Sequence, residues 1–188
     1  VDPVYSEVTK LWAAGIALFL DDPDEARRRL EVGSARVDEL GMGWVDRYYR
    51  YMSAELDIVE GHLSRGFRSL DEQKEGCEQS GLAWGAAQID LFIATSLARV
   101  ATGEVQGSLG DALRNPGFVR RFGIGTAKKA RARLEALDSA NECSFASVRP
   151  MIRLELAKLE LHEHNQKRAR EHLDFILDLL AGEPESPL

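Results

Sequence analysis

The segment DPDEARRRLEVG, residues 22–33, contains a small residue followed four positions later by leucine. This pattern recurs in LSRGFRSLDEQ (63–73), KKARARLEAL (128–137) and QKRAREHLDFI (166–176). The paired positions are Ala26 and Leu30, Gly66 and Leu70, Ala130 and Leu134, and Ala169 and Leu173. Four copies in one chain indicate an internally repeated structure.

Each copy follows a longer apolar segment and a turn. Apolar residues recur there at three- and four-residue spacing and strand patterns are nearly absent, which is typical of α-helices. Longer helices are predicted at 5–20, 44–60, 82–102 and 145–163, with turns at 21–24, 60–62, 102–104 and 162–165. Ala14, Ala54 and Ala157 lie twelve positions before three copies, where a small side chain lets the paired helix approach closely. The sequence therefore predicts an all-α chain of antiparallel helical hairpins.

The copies are unevenly spaced, by 40, 64 and 39 residues (66 − 26, 130 − 66 and 169 − 130). We assign the excess in the middle interval to a basic insertion at 104–125. Residues 1–181 are predicted to form one domain, followed by a disordered tail at 182–188. Its hairpins would span about 4–40, 43–80, 82–143 and 145–181.

A small residue on the first helix, Gly or Asp at the turn, and a small residue followed by leucine resemble the tetratricopeptide repeat. The matching positions are Ala14, Asp21, Ala26 and Leu30; Ala54, Gly61, Gly66 and Leu70; Gly103, Ala130 and Leu134; and Ala157, Ala169 and Leu173. The resemblance implies hairpins stacked as a right-handed superhelix with a concave binding surface. The period exceeds the usual one of about 34 residues and the closing proline is missing, so a hairpin bundle of other curvature stays open.

A second resemblance concerns the protein as a whole. The segments IATSLARVATGEVQG (93–107) and RNPGF (114–118) are similar to the C-terminal helical regions of large bacterial signalling proteins. Those proteins join repeats to a class III adenylate or guanylate cyclase, or to a regulatory ATPase. The resemblance implies that this chain senses or docks, and that catalysis is carried out elsewhere in a longer protein.

The segment FGIGTAKKAR, residues 122–131, superficially resembles a phosphate-binding loop. A P-loop needs G-x-x-x-x-G-K-[ST] after a strand, so that consecutive backbone N–H groups surround the phosphate. Here Gly123 and Gly125 are two residues apart, and Lys128 follows only three later. We therefore predict no nucleotide or other cofactor at this segment.

Ordinary helix signals account for the same residues. Asn115 is expected to cap a short helix that begins at Pro116 and ends at Gly123. Thr126 is expected to cap the next helix, which would run to about Cys143.

Positive charge is concentrated in this part of the chain. The whole sequence carries a net charge of −7, which disfavours a nucleic-acid surface. Between 112 and 134 there are seven basic residues and no acid, which leaves −14 (−7 − 7) for the rest. A basic patch facing an acidic partner is predicted from Arg114, Arg120, Arg121, Lys128 and Lys129. The alternative is a solvated face whose basic groups also pair with carboxylates of adjacent repeats.

The segment VDRYYRYMSAELD, residues 45–57, contains three tyrosines and two arginines that cannot all be buried on one helix. In the tetratricopeptide register, the first helices would line a partner-binding surface formed by Tyr48, Tyr51, Glu55, Asp90, Ile93, Leu154 and Lys158. Tyrosine and arginine are favoured in binding hot spots. The alternative is that the tyrosines pack between hairpins and the arginines pair with acids.

No catalytic or metal site is predicted. The acids are distributed as on exposed helix faces, and no serine or cysteine is matched with a histidine base. His162 and His164 are two residues apart and His172 falls on the next helix, so they lack the spacing of a zinc site on one helix. The two widely separated cysteines, Cys77 and Cys143, are expected to be free thiols in a reducing cytoplasm. No membrane span is predicted.

The sequence therefore favours a non-catalytic module that binds a protein or peptide segment and regulates a larger protein. One alternative is a small-ligand domain, which would need an enclosed pocket lined by Trp12, Trp44 or Trp84. Another is self-association as a homodimer, because LWAAGIALFL (11–20) is apolar nearly all round and something should cover it. The cover could be a missing upstream repeat, a second copy of the chain or another domain.

Overall fold

A computed structural model describes residues 3–20, 22–41, 43–105, 114–140 and 148–182. These residues form nine α-helices and no strand, which confirms the predicted all-α class. The helices are α1 (Pro3–Phe19), α2 (Pro23–Leu40), α3 (Gly43–Val59), α4 (Leu63–Gln79), α5 (Ala83–Thr102), α6 (Pro116–Phe122), α7 (Thr126–Ser139), α8 (Arg149–His162) and α9 (Gln166–Gly182). None of them is long and apolar enough to cross a bilayer.

The chain divides into two compact units, 1–82 with 106–119, and 83–105 with 120–188. In the first unit α1 pairs with α2 and α3 with α4, and α3 also packs against α1 and α2. In the second unit α5 pairs with α7 and α8 with α9, and α8 also packs against α5 and α7. Within each unit, one helix of the second hairpin thus contacts both helices of the hairpin before it. One domain over 1–181 and a superhelical stack stay predictions, and 183–188 lie outside the described residues.

The small residues of the repeat pattern lie at helix contacts. All seven are buried, namely Ala14, Ala26, Ala54, Gly66, Ala130, Ala157 and Ala169. The Gly66 pair is closely packed, because a Cβ added there would lie 2.7 Å from the Ala54 carbonyl oxygen and 2.6 Å from Cγ1 of Ile58. Helices α3 and α4 therefore approach each other at Ala54 and Gly66, as the sequence predicts.

The leucines of the pattern differ in burial. Leu30, Leu70 and Leu134 are at most 3% exposed, as expected for residues that fill the space between helices. Leu173 on α9 is 39% exposed, so the prediction that it fills such a layer is wrong. The physical reason is that α9 packs mainly against α8, which covers only one side of it.

Asn115 directly precedes α6, but its side chain caps a different helix. Its Oδ1 accepts a hydrogen bond from the Ser64 N–H near the start of α4 (2.9 Å), and its Nδ2 donates to the Gly61 carbonyl (2.7 Å). Oγ of Ser64 in turn accepts from the Phe118 N–H in the first turn of α6 (3.0 Å). The two helix N-termini thus satisfy each other's unpaired N–H groups. Asn115 nevertheless holds the predicted N-cap position of α6, because its backbone carbonyl accepts from the Val119 N–H (3.0 Å).

Thr126 also has another role than the predicted N-cap. The residue before α7 is Gly125, with φ of 72°, and no side chain caps this end. The hydroxyl of Thr126 donates instead to the Phe122 carbonyl (2.5 Å), while Nζ of Lys129 donates to the Arg121 carbonyl (2.5 Å). Both bonds satisfy carbonyl groups at the C-terminus of α6.

Candidate functional site

Large apolar side chains project from one face of α1 and the residue that follows it. Tyr5, Trp12, Ile16 and Leu20 are 57–72% exposed. Their spacing of seven, four and four residues places them on one side of a helix, and we call this set the α1 apolar face. Thr9 lies on the same side and its hydroxyl is satisfied by the Tyr5 carbonyl (2.7 Å). The face therefore offers apolar contact and no charge.

A second exposed apolar surface lies on the last hairpin, in the second unit. Its residues are 39–62% exposed. We call it the α8–α9 leucine face, and it consists of Leu154, Leu161, Leu173, Leu177 and Leu180. Monomeric proteins rarely expose contiguous apolar patches of this kind unless they bind something.

The tyrosines of the predicted partner-binding surface belong mostly to the core of the first unit. Tyr51 is 8% exposed and its hydroxyl donates to Glu55 Oε2 (3.0 Å). Tyr48 is half-buried against the cluster formed by α1, α2 and α3. Tyr49 is 1% exposed and donates to the Glu7 carbonyl (3.0 Å). Burial, and then the charge of Glu7, raises the pKa of Tyr49 to about 12.

The remaining members of that predicted surface lie in the second unit. Ile93 is fully buried, so it cannot contact a partner, and its inclusion is corrected. Asp90 pairs with Arg133. Lys158 pairs with Glu155 (2.9 Å) and Glu104 (3.2 Å). Leu154 alone is an exposed apolar residue, and it belongs to the α8–α9 leucine face.

The predicted basic patch is smaller than the run of seven basic residues indicates. Arg131 pairs with Glu160 and Glu163, and Arg133 with Asp90, as the alternative of pairing with neighbouring carboxylates expects. The side chains of Arg121 and Lys129 lie over the Phe122 ring at 4.8 Å and 5.8 Å.

Of the residues of the predicted basic patch that lie in the second unit, Arg120 and Lys128 are exposed and form no ion pair with any described residue. Arg114 is exposed in the first unit. The positive surface is therefore sparse.

A polar groove of about 380 Å³ lies between α3 and α4. It is lined by Asp46, Arg47, Arg50, Ser69, Glu72, Gln73, Gly76, Cys77 and Ser80. Arg50 pairs with Asp46 (2.8 Å), whereas half-buried Arg47 forms no ion pair with any residue that the structure describes. Its Nη1 donates only to the buried Cys77 sulfur, at 3.5 Å. The groove therefore contains one guanidinium that has no direct carboxylate partner among the described residues.

Buried ion pairs join the helices of the second unit. Glu160 is 2% exposed and accepts from Nε of Arg131 (3.1 Å). Burial alone would lower the pKa of Arg131, but the carboxylates of Glu163 and Glu160 outweigh it and raise that pKa. Lys158 behaves alike: burial opposes its charge, and Glu155 and Glu104 raise its pKa. These charges are balanced within the fold, so they are structural rather than reactive.

Histidine and acid clusters also have structural partners. Asp57, Glu60 and His62 place possible ligand atoms within 4.8 Å of one another. Arg65 already pairs with Asp57 and Arg27 with Glu60, so guanidinium groups balance both carboxylates.

The three histidines of the last hairpin do not lie together. His162 and His164 are exposed, whereas His172 is half-buried with Nδ1 3.3 Å from Nη1 of Arg153. Burial, and then the charge of Arg153, lowers the pKa of His172.

Trp12 and Trp84 do not line the groove. Trp12 and Trp84 are 68% and 49% exposed, and the Trp44 side chain lies outside the described residues. Two features escaped the sequence reasoning. Leu173 is expected in a buried layer because its position matches the buried copies, and Arg47 is expected either to face a partner or to pair with nearby acids. Only tertiary contacts separate these cases.

Comparison of the chain with family models, with curated proteins and with solved structures finds no match.

Proposed function

We propose that this chain is a non-catalytic protein-interaction module that binds through the α1 apolar face. The observation that supports this proposal is a row of apolar side chains, each more than half exposed, along one side of one helix. They are Tyr5, Trp12, Ile16 and Leu20. Burying a large apolar side chain is worth about 1.5–3 kcal/mol, so covering this face would supply useful binding energy. Because the face carries no charge, the partner surface should be apolar and helical rather than acidic.

The placement of the ionisable groups supports a binding role over catalysis. The buried carboxylate Glu160 is held by Arg131, and the partly buried pairs Lys158–Glu155 and Arg133–Asp90 balance one another. A catalytic acid or base needs an unbalanced, accessible group whose pKa is matched to its task. We infer that the module is a regulatory scaffold of a cytoplasmic bacterial signalling protein that also contains a cyclase or ATPase domain, as the resemblance of 93–107 and 114–118 implies.

Site-specific photo-crosslinking tests the interaction. We expect a benzophenone side chain at position 12 to form protein adducts in cells, because Trp12 is central in the α1 apolar face. The same group at position 28, where the Arg28 side chain is 67% exposed on α2, should form none. Adding Ile16→Glu should abolish the adducts at position 12. Equal labelling from positions 12 and 28, or none from position 12 of the folded chain, would contradict the proposed function.

A second candidate is the binding of a small carboxylate in the α3–α4 groove, favoured because Arg47 forms no ion pair with any described residue. Pockets of roughly 300–1,000 Å³ are typical of small-molecule sites, and a polar lining selects a polar ligand. Guanidinium groups bind carboxylates in bidentate fashion with strong hydrogen bonds. An amino-acid-sized carboxylate fits both the groove volume and the charge.

L-glutamate is a suitable probe for this candidate. At ten times its dissociation constant we expect Tm to rise by about 3–6 °C. Arg47→Met should remove the rise, whereas Arg36→Met, on the exposed face of α2, should keep it. A rise that is the same in both variants would show that the groove does not bind the carboxylate.

A further inference from the structure

The repeat pattern shows which residues of α3 correspond to the α1 apolar face. The first two copies are 40 residues apart (66 − 26). Adding 40 to Tyr5, Thr9, Trp12 and Ile16 gives Val45, Tyr49, Met52 and Leu56 on α3. Those four residues pack in the core formed with α1 and α2, three of them at most 6% exposed and Met52 partly buried. The exposed residues of α1 thus occupy the positions through which α3 packs on the preceding hairpin.

The second unit uses the same positions. Ala54 and Ala157 are 103 residues apart (157 − 54), so Tyr49, Met52 and Leu56 correspond to Ile152, Glu155 and Leu159 on α8. These are 0%, 7% and 0% exposed, and α8 packs against α5 and α7. In both units this side of the helix is buried against a preceding hairpin. On α1 the same side is uncovered.

The surface of hairpin α1–α2 on which α3 packs has an equivalent on the last hairpin, and that equivalent is exposed. Hairpin α1–α2 contributes Leu11, Leu18, Leu30 and Val37 to the core that receives α3. The first and last copies are 143 residues apart (169 − 26), and this shift gives Leu154, Leu161, Leu173 and Leu180. All four belong to the α8–α9 leucine face and are 39–57% exposed. The last hairpin thus presents, uncovered, the surface that the first hairpin uses to bind a helix.

We propose that these two surfaces bind each other between copies of this chain, head to tail. The α1 apolar face of one copy packs on the α8–α9 leucine face of a second copy, in the way that α3 packs on α1–α2. This inference rests on the proposed function and names its partner as a second copy. A symmetric α1–α1 contact would leave the leucine face uncovered, whereas the head-to-tail contact covers both surfaces.

Side-chain sizes at the corresponding positions are complementary. Inside the first unit, the Tyr49 ring lies against Gly33, where an added Cβ would be 2.1 Å from its hydroxyl oxygen. At the proposed contact the residue equivalent to Tyr49 is Thr9 and the residue equivalent to Gly33 is Ile176. The larger residue of the pair therefore lies on α9 and the smaller one on α1.

At the next position both equivalent residues are larger. Met52 lies against Gly15, where an added Cβ would be 2.7 Å from the Met52 Cε. The equivalent positions are Trp12 and Lys158. An indole ring over a lysine side chain combines apolar contact with a cation–π interaction. The Thr9–Ile176 pair therefore keeps the size balance of the Tyr49–Gly33 pair, whereas Trp12 and Lys158 need a wider separation of the helices than Met52 and Gly15.

Sedimentation velocity of the purified chain tests the contact. We expect the mean mass to rise with concentration between about 5 and 500 µM, because an interface below about 1,200 Å² is typical of weak association. Trp12→Asp and Leu173→Asp should each reduce the association constant at least tenfold. Ser53→Asp, at an exposed position on α3, should leave it unchanged, and circular dichroism should show that all variants are folded.

Mixing the two defective variants tests whether the contact between copies is head to tail. Trp12→Asp keeps an intact leucine face and Leu173→Asp keeps an intact α1 face, so their mixture should form a one-to-one complex that neither forms alone. A mixture that stays monomeric would overturn the head-to-tail contact. A native chain that is monomeric up to 500 µM would overturn it too, whereas crosslinks from position 12 to another protein would leave the proposed function standing.

Discussion

Replacing Gly66 with alanine is expected to lower the free energy of unfolding by about 1–3 kcal/mol, the usual cost of overpacking a closely packed contact. An alanine in a helix ordinarily stabilises it by about 0.5–1 kcal/mol relative to glycine. At Gly66 the new Cβ would lie 2.7 Å from the Ala54 carbonyl oxygen, which belongs to the backbone of α3 and cannot rotate away. Helix α4 would have to move off α3.

Helix α4 also provides the matched control. Gly76 has no neighbouring atom within 4 Å of an added Cβ, so Gly76→Ala should gain about 0.5–1 kcal/mol. Urea unfolding of the two variants beside the native chain measures both changes. Shifts of the same sign in both variants would mean that the close approach of α3 and α4 is not what constrains Gly66.

Replacing Arg131 with methionine is expected to cost about 3 kcal/mol, because it leaves the carboxylate of Glu160 buried without its nearest cation. Glu160 is 2% exposed, and Arg131 is the closer of its two cationic partners, at 3.1 Å against 3.9 Å for Arg168. A surface pair gives a different result: Arg28→Met, which breaks the exposed contact with Glu25, should cost less than about 1 kcal/mol.

A double-mutant cycle separates pairing from simple loss of packing. Arg131→Met combined with Glu160→Met removes both charges, and replacing a buried ion pair by apolar residues of similar size is often neutral. The double variant should therefore recover most of the stability lost by Arg131→Met. If both variants are equally unstable, packing of the Arg131 side chain rather than the charge of Glu160 sets the cost.

The sequence predicts local features of this fold well, because they depend on neighbours a few residues away. The helices, the small residues at Ala54 and Gly66, and the turns follow from spacing alone. Tyr49, rather than Tyr48, is the deepest of the tyrosines because α1 and α2 cover that side of α3. A pattern within α3 contains no information about which side a second hairpin covers.

The candidate site was only half predictable for the same reason. The apolar character of 11–20 indicated an uncovered helix, and the structure exposes Trp12 and Ile16 there. Leu173 has the same sequence context as buried Leu134, and only the absence of a covering helix among the described residues distinguishes it. Asn115 shows the limit in another way, because its bonding partner Ser64 lies 51 residues away in the chain.

The reciprocal bonds of Asn115 and Ser64 also affect motion within the first unit. The start of α4 cannot fray without removing the acceptor of the Phe118 amide, and the start of α6 cannot fray without removing that of the Ser64 amide. Local unfolding of the two helix starts is therefore a single event. Hydrogen exchange should assign both amides the same opening free energy, although short helix ends ordinarily exchange independently.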